Sequence, residues 1–228
     1  MQNIEFRFYE IYRSEEFLAL LLKGMLVSLW LTIGAAIFGF LFANLLAVTR
    51  INKTPFFSNI STAFVEFTRN TPLIVQLFFI SFGLPLLLGY QWPFWCHALL
   101  ALSLNFSAYF AEILRAGFED IGKGQIEAAK SLGLSKSIIF VKIIFPQALC
   151  KVYPALNSQF IFLFLTTGII SEIGVKELTQ AGIYIDSRTF RSFEVFFTLT
   201  ILYIFLSLLL KTALKFMYSK IFFWAEFR

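Results

Sequence analysis

NTPLIVQLFFISFGLPLLLGYQWPFWCHALLALSLNFSAYFA, residues 70–111, contains no charged side chain. A helix rises 1.5 Å per residue and the hydrocarbon layer of a bilayer is about 30 Å thick, so about 20 apolar residues make one crossing. This stretch is long enough for two, with turns available at Gly83-Leu84-Pro85 and at Gly89-Tyr90-Gln91-Trp92-Pro93. Charge is equally absent between Lys23 and Arg50, between Lys151 and Glu172, and between Glu194 and Lys211. The expected fold is an all-α integral membrane protein with about five transmembrane helices, near 18–48, 72–89, 93–115, 152–171 and 194–214.

Composition points the same way. The chain is 58% hydrophobic and 14% charged, with 31 Phe and a mean hydropathy of +0.76, whereas a soluble domain is about 45–50% apolar and about 25% charged. A soluble domain with an oversized core would not clear its charges from four long stretches. Residues 1–17 read as an interfacial segment: Ile4, Phe8, Ile11 and Tyr12 recur at helical spacing among Glu5, Arg7, Glu10 and Arg13. They lack the basic start and small-residue cleavage site of a secretory signal.

Lys and Arg favour the cytoplasmic side. Placing 49–71, 112–151 and the tail from Lys211 inside leaves Arg7, Arg13, Lys23, Lys176, Arg188 and Arg191 outside, with the other 13 of the 19 basic residues inside. This predicts the N-terminus outside and the C-terminus in the cytoplasm. The net charge of +5 is then a matter of topology and not a nucleic-acid footprint. Tyr90, Trp92 and Trp95 at the outer hairpin tip form an aromatic belt. Cys96 and Cys150 fall near opposite faces and are not expected to pair. With one His in the chain, Cys96-His97 is a packed pair at a helix start and not a metal corner.

The loop after the third span is long and polar: GFEDIGKGQIEAAKSLGLSKS, residues 117–137. Gln125 to Leu132 favours helix and stops at Gly133, and a second helical stretch starts near Ser135 and ends at Pro146. Two short helices joined at a glycine make a cytoplasmic knob. Ala128 and Ala129 permit close backbone approach, Glu127 and Lys130 offer polar contacts, and such a helix suits a groove in another protein.

Glu127-Ala128-Ala129, three residues, Gly133, nine residues, Ile143, one residue and Phe145-Pro146 resemble the EAA loop of bacterial ABC importer permeases. Phe145 stands where that pattern has Leu. Glu66-Phe-Thr-Arg69-Asn-Thr71-Pro72-Leu and Tyr109-Phe-Ala-Glu112-Ile-Leu-Arg115 are similar to segments of the polar amino acid branch (the histidine, glutamine, arginine and glutamate type). Gly174-Val-Lys-Glu177-Leu178-Thr179 is similar to a third. The likeness covers about Gly24 to Phe216. It implies the type I ABC importer permease fold, with residues 18–217 as the transmembrane domain, a coupling loop at about 118–146 and a cytoplasmic tail at 218–228. The coupling residues it implies are Gln125, Glu127, Ala128, Ala129, Gly133 and Pro146. It further implies a bacterial inner-membrane subunit with no cofactor and no catalysis of its own. The expected partners are an ATPase dimer that binds ATP and Mg, an external amino acid binding protein, and a second permease copy or paralogue. One departure falls in the fourth span, where Leu165-Thr166-Thr167-Gly168-Ile169 replaces the family's K-D-T-S-L.

Ionisable groups at membrane depth face a cavity or a partner. Glu112 and Arg115, like Glu66 and Arg69, are three apart and can pair on one helix face. The candidate substrate path joins Asn105, Tyr109 and Glu112 in one stripe and Arg69 and Gln76 in another, with Asn157 and Thr167 added.

Gly117 to Gly124 nearly fits a phosphate loop, yet Gly124 stands where a hydroxyl is needed and Glu119 and Asp120 would repel phosphate. Pro72, Pro85, Pro154, Gly34 and Gly39, in or beside the spans, read as packing devices, with hinges as the alternative. A metalloprotease is excluded, since there is no H-E-x-x-H. An ion-gradient-driven secondary amino acid transporter is the alternative, and it predicts an inverted repeat that the chain lacks.

Overall fold

Lipid offers the backbone no hydrogen-bonding partner, so each charge-free run has to satisfy its N–H and C=O groups within one helix. The structure, a computed structural model, describes residues 6–52 and 54–223. Ile4 and Glu5 of the expected N-terminal helix, and Lys53 and Arg228 of the charge balance, lie outside them. The expected interfacial helix is a single turn, Tyr9–Tyr12 (α1). Its Ile11 is buried, the Arg7 N–H donates to Glu194 Oε1 at 3.0 Å, and the Tyr12 and Thr198 hydroxyls are 2.9 Å apart. The segment is thus tied down by the protein itself.

Glu15–Ile51 (α2) follows. Residues 49–71, expected as a loop, contain the helix Pro55–Arg69 (α3), with proline in its first turn where no N–H is needed. Ser61, Val65 and Thr68 make its buried stripe. The second span is Leu73–Phe78 (α4), a π turn at Phe79–Gly83, and Leu84–Leu88 (α5), closed by Gly89 at φ +69°. Phe94–Glu119 (α6) is the third. Lys123–Ser131 (α7) and Lys136–Ile138 (α8) come next. A π turn at Ile139–Ile144 leads into Phe145–Thr166 (α9), a 3₁₀ stretch Thr167–Ile173, then Leu178–Thr189 (α10) and Ser192–Ile221 (α11).

Among the described residues, four helices are long and apolar enough to cross a membrane, or five spans when α3 and α4–α5 count as one broken span. The fourth of the five expected spans runs unbroken from Lys136 to Ile173, which corrects two expectations. The second loop helix does not end at Pro146, and the span does not begin near 152. Proline lacks an N–H and clashes with the carbonyl four residues back, but a π turn widens the helix there. The same device recurs in the second span, since each π turn leads into a helix with proline at its second residue, Pro85 and Pro146.

The chain folds as two compact units. The first comprises the chain up to Ala35, Leu73–Leu102 and Ile161–Thr212. Its core includes Leu21, Phe164, Leu178, Ile185, Val195 and Leu199, with Ile11 added by α1. A Cβ on Gly24 would stand 2.9 Å from both the Glu177 carbonyl oxygen and Leu178 Cα, so those backbones touch. The second comprises Ala36–Pro72, Ser103–Phe160 and the chain from Ala213. Here Phe106, Phe110, Ala111 and Leu114 of α6 are fully buried. The Phe110 ring lies 6.2 Å from Phe40 and 4.9 Å from Phe160. A Cβ on Gly39 would meet the Ser103 carbonyl at 3.1 Å, and one on Gly117 would meet Val152 Cγ1 at 2.5 Å. At these places glycine sets the helix separation.

Candidate functional site

Helix α7 is held at its base and bare along its outer side. Gly122 caps its start, and Gln125, Glu127, Ala128 and Lys130 are exposed while Ala129 is buried. At its end the Gly133 N–H donates to the Lys130 carbonyl at 2.9 Å and the Leu134 N–H to the Ala129 carbonyl at 3.2 Å. This is a complete Schellman motif with Gly133 at φ +75°. A non-glycine residue in that conformation costs about 1–2 kcal/mol. Leu132, beside it, is 78% exposed. Ser135 caps α8 by accepting from the Ile138 N–H at 3.4 Å.

Three rings anchor this knob. Phe118 ends α6, Phe140 sits in the π turn and Phe145 begins α9, with centroids 5.3, 6.1 and 6.1 Å apart. Asp120 pairs with Lys151 at 2.8 Å beside them. An aromatic at 145 therefore completes a cluster that Pro146 follows directly. Sequence reasoning found the knob's outer residues but missed this cluster, whose members are scattered over 28 positions of the chain. The near-match to a phosphate loop dissolves here, because residues 117–119 close α6 and Lys123 opens α7.

The candidate path residues separate. In the second unit, Glu112 Oε2 accepts from Arg50 at 2.7 Å and Oε1 accepts from Arg115, which also reaches Glu119 at 2.6 Å. Arg69 lies 4.0 Å from Glu112 and its guanidinium stacks over Tyr109 at 5.6 Å. Arg69 thus turns to α6 rather than to Glu66, correcting the expected pairing. Arg50, noticed only as the end of a charge-free run, is the least exposed cation of the group. Asn105 lies on the same face of α6 as Tyr109 and Glu112 and is buried. Asn157 is half-buried, with an Oδ1 that finds no hydrogen-bond partner among the described residues.

In the first unit, Gln76 belongs to α4, and because the helix stops at Arg69 and restarts at Leu73 the two do not share a stripe. Thr167 is fully buried, its hydroxyl donating to the Phe164 carbonyl at 2.7 Å.

A second polar centre lay outside the candidate path. Glu177 has no exposed surface and caps α10, accepting from the Gln180 N–H at 2.7 Å. Its other oxygen accepts from Tyr203 at 3.1 Å and Ser28 at 3.2 Å, and Ser28 in turn accepts from the Leu178 N–H. Burial pushes the carboxyl up to about 7, against the pull of the Thr179 and Gln180 N–H groups and the Tyr203 and Ser28 hydroxyls. The folded state then binds a proton more tightly than the unfolded chain. Glu177's contribution to stability is complete below about pH 4.5 and is lost as pH rises through about 7. Glu177→Gln keeps the cap and removes the charge. Its melting temperature is expected to rise above wild type between pH 5 and pH 8, and a gap constant with pH would refute this.

Residues 35–222 match the family of binding-protein-dependent transport system inner membrane components, and the chain belongs to that family. It is 33% identical over 195 residues to the L-cystine transport system permease protein TcyL of Bacillus subtilis, covering 82% of this chain and 81% of that one. It is 34% identical over 198 residues to the octopine transport system permease protein OccM of Rhizobium meliloti, covering 83% and 80%. One chain of a crystal structure of an amino acid ABC transporter with histidines superimposes with a TM-score of 0.84 at 31% identity, over 95% of this chain and 100% of that chain. The fold is that of the type I ABC importer permeases, and the chain is a permease subunit of the bacterial inner membrane. The ion-gradient alternative has no support among these relatives.

Proposed function

We propose that this subunit passes a polar amino acid across the membrane by alternating access, driven by ATP bound and hydrolysed with Mg on a separate ATPase dimer. The observation that carries the coupling role is α7, a short helix with an exposed Glu127-Ala128 face, a buried Ala129 and a glycine-locked end. The relatives' cystine and octopine each carry an α-amino acid group, which supports the substrate class. A glutamine-like substrate suits a fourth span without the family's Lys and Asp; basic and acidic amino acids remain within the class.

Moving a two-state gate from 1:99 to 99:1 takes about 5.5 kcal/mol of differential binding. ATP closing the partner dimer supplies it, and α7 passes the movement to the spans. Gln125, Glu127 and Ala128 form the contact, with Ala129 seating the helix from beneath, Gly133 closing its end and Pro146 at its base. An external binding protein delivers the substrate, and a second permease copy or paralogue completes the passage. The N-terminus lies outside and the C-terminus in the cytoplasm. Arg69, Tyr109, Glu112, Gln76 and Asn157 remain the path candidates, Asn157 through its open acceptor. Asn105 and Thr167 act from buried positions.

The test is uptake of labelled amino acids into proteoliposomes holding this chain with its ATPase and binding protein. Uptake of one or two amino acids that stops without ATP is expected. Uptake that ignores ATP and follows an ion gradient would overturn the proposal.

A further inference from the structure

A cavity of about 340 Å³ lies between α2 and the start of α10, lined by Glu16, Lys23, Lys176, Gln180 and Tyr184 among others. Two of its walls are regular helix faces. Glu16 and Lys23 are seven apart on α2, Gln180 and Tyr184 are four apart on α10, and Lys176 lies in the non-helical lead-in just before the N-cap Glu177. Lys23 and Lys176 directly precede Gly24 and Glu177, whose backbones touch. The backbones that carry the two lysines are therefore held together by one close contact, and both side chains are exposed beside the cavity. Neither forms an ion pair with another described residue, and Glu16 likewise has none. Arg188 adds a third cation beside the cavity, its guanidinium 5.2 Å from the Tyr184 ring.

Two cations carried on adjoining backbones beside one cavity, with no ion-pair partner among the described residues, suit an oxyanion. Depth identifies which one. Lys23 closes the charge-free run that extends to Arg50, and so stands where the hydrocarbon layer gives way to headgroups. Leu22 and Leu26, flanking it on α2, are 58% and 65% exposed and offer apolar surface for an acyl chain. We propose that this cavity holds the phosphodiester of an anionic phospholipid between Lys23 and Lys176, with Gln180 and Glu16 facing the headgroup's hydroxyls. Glu16 repels phosphate, and at seven residues, about 10 Å along the helix, it sits at the far end from Lys23. The proposal rests on the membrane placement of α2 and is independent of the substrate.

The test is native mass spectrometry of the purified transporter complex, titrated with phosphatidylglycerol and, separately, phosphatidylcholine. One saturable phosphatidylglycerol site per permease chain is expected. Affinity falls about fivefold in K23Q or K176Q and about thirtyfold in the double variant. Lys23→Arg with Lys176→Arg keeps it, and melting temperatures report that every variant is folded. Undiminished phosphatidylglycerol binding by the folded double variant would overturn the proposal. So would equal affinity for phosphatidylcholine, or displacement by free glutamate, which would mark a site for a soluble carboxylate. Unchanged lipid affinity with weakened capture of the external binding protein would overturn it in favour of a protein contact.

Discussion

Gly133→Val is expected to cut ATP-driven uptake by tenfold or more while the protein still inserts and its ATPase partner still turns over. The residue sits at φ +75° with two backbone hydrogen bonds closing over it. Valine there costs about 1–2 kcal/mol in backbone strain and unwinds the turn that ends α7. Nothing lies within 4 Å of a Cβ at this position, so the site has space, and the loss would come from backbone geometry and from the surface offered to the ATPase. Asparagine tolerates the left-handed region, so Gly133→Asn separates the two. If asparagine restores uptake, the helix terminus matters; if both variants fail alike, the exposed surface does. Normal uptake in Gly133→Val would end the coupling assignment of α7.

The second large effect is expected at Glu112. Removing its carboxylate leaves Arg50, Arg69 and Arg115 facing one another with Glu119 as their remaining acid. Breaking a fully buried pair costs roughly 3–5 kcal/mol. Glu112 is about a quarter exposed, so solvent screening reduces the figure for Glu112→Ala to about 2 kcal/mol. That corresponds to a melting temperature lower by about 4–8 °C. Glu112→Gln, which keeps an acceptor for Arg50, is expected to fall between. Adding Arg50→Gln to Glu112→Ala should recover part of the loss by removing repulsion. A double variant less stable than either single one would show that the arginines are held by something other than this carboxylate.

Four long charge-free runs made the membrane class legible, because hydrocarbon tolerates so few alternatives. The knob was legible for a local reason: helix formers followed by a glycine that takes the left-handed turn. Structure between the spans was not. Helix α3 hides in a segment whose Lys53, Asn70 and Thr71 read as loop, and its Ser61, Val65 and Thr68 stripe mixes two hydroxyls with one apolar residue. The Glu177 centre draws on residues about 150 positions apart, Ser28 and Leu178, and no periodicity connects them. Arg69 was assigned to its neighbour in sequence because a bend after α3 and a partner on α6 cannot be read from spacing. The likeness to a known loop located α7 but carried no information about the rings of Phe118, Phe140 and Phe145 beneath it.

The two π turns have a consequence for phase. An i→i+5 turn accommodates one residue more than an α turn, and one residue in an α-helix is about 100° of rotation. Faces drawn on a helical wheel across Phe79–Gly83 or Ile139–Ile144 are therefore out of step by nearly a third of a revolution. Residues beyond Pro146, Asn157 among them, have to be indexed from the proline and not from the coupling loop. A single-residue deletion within either turn would restore the ideal count and leave the following helix's side chains on their present azimuth, while removing the widened turn that accommodates Pro85 or Pro146.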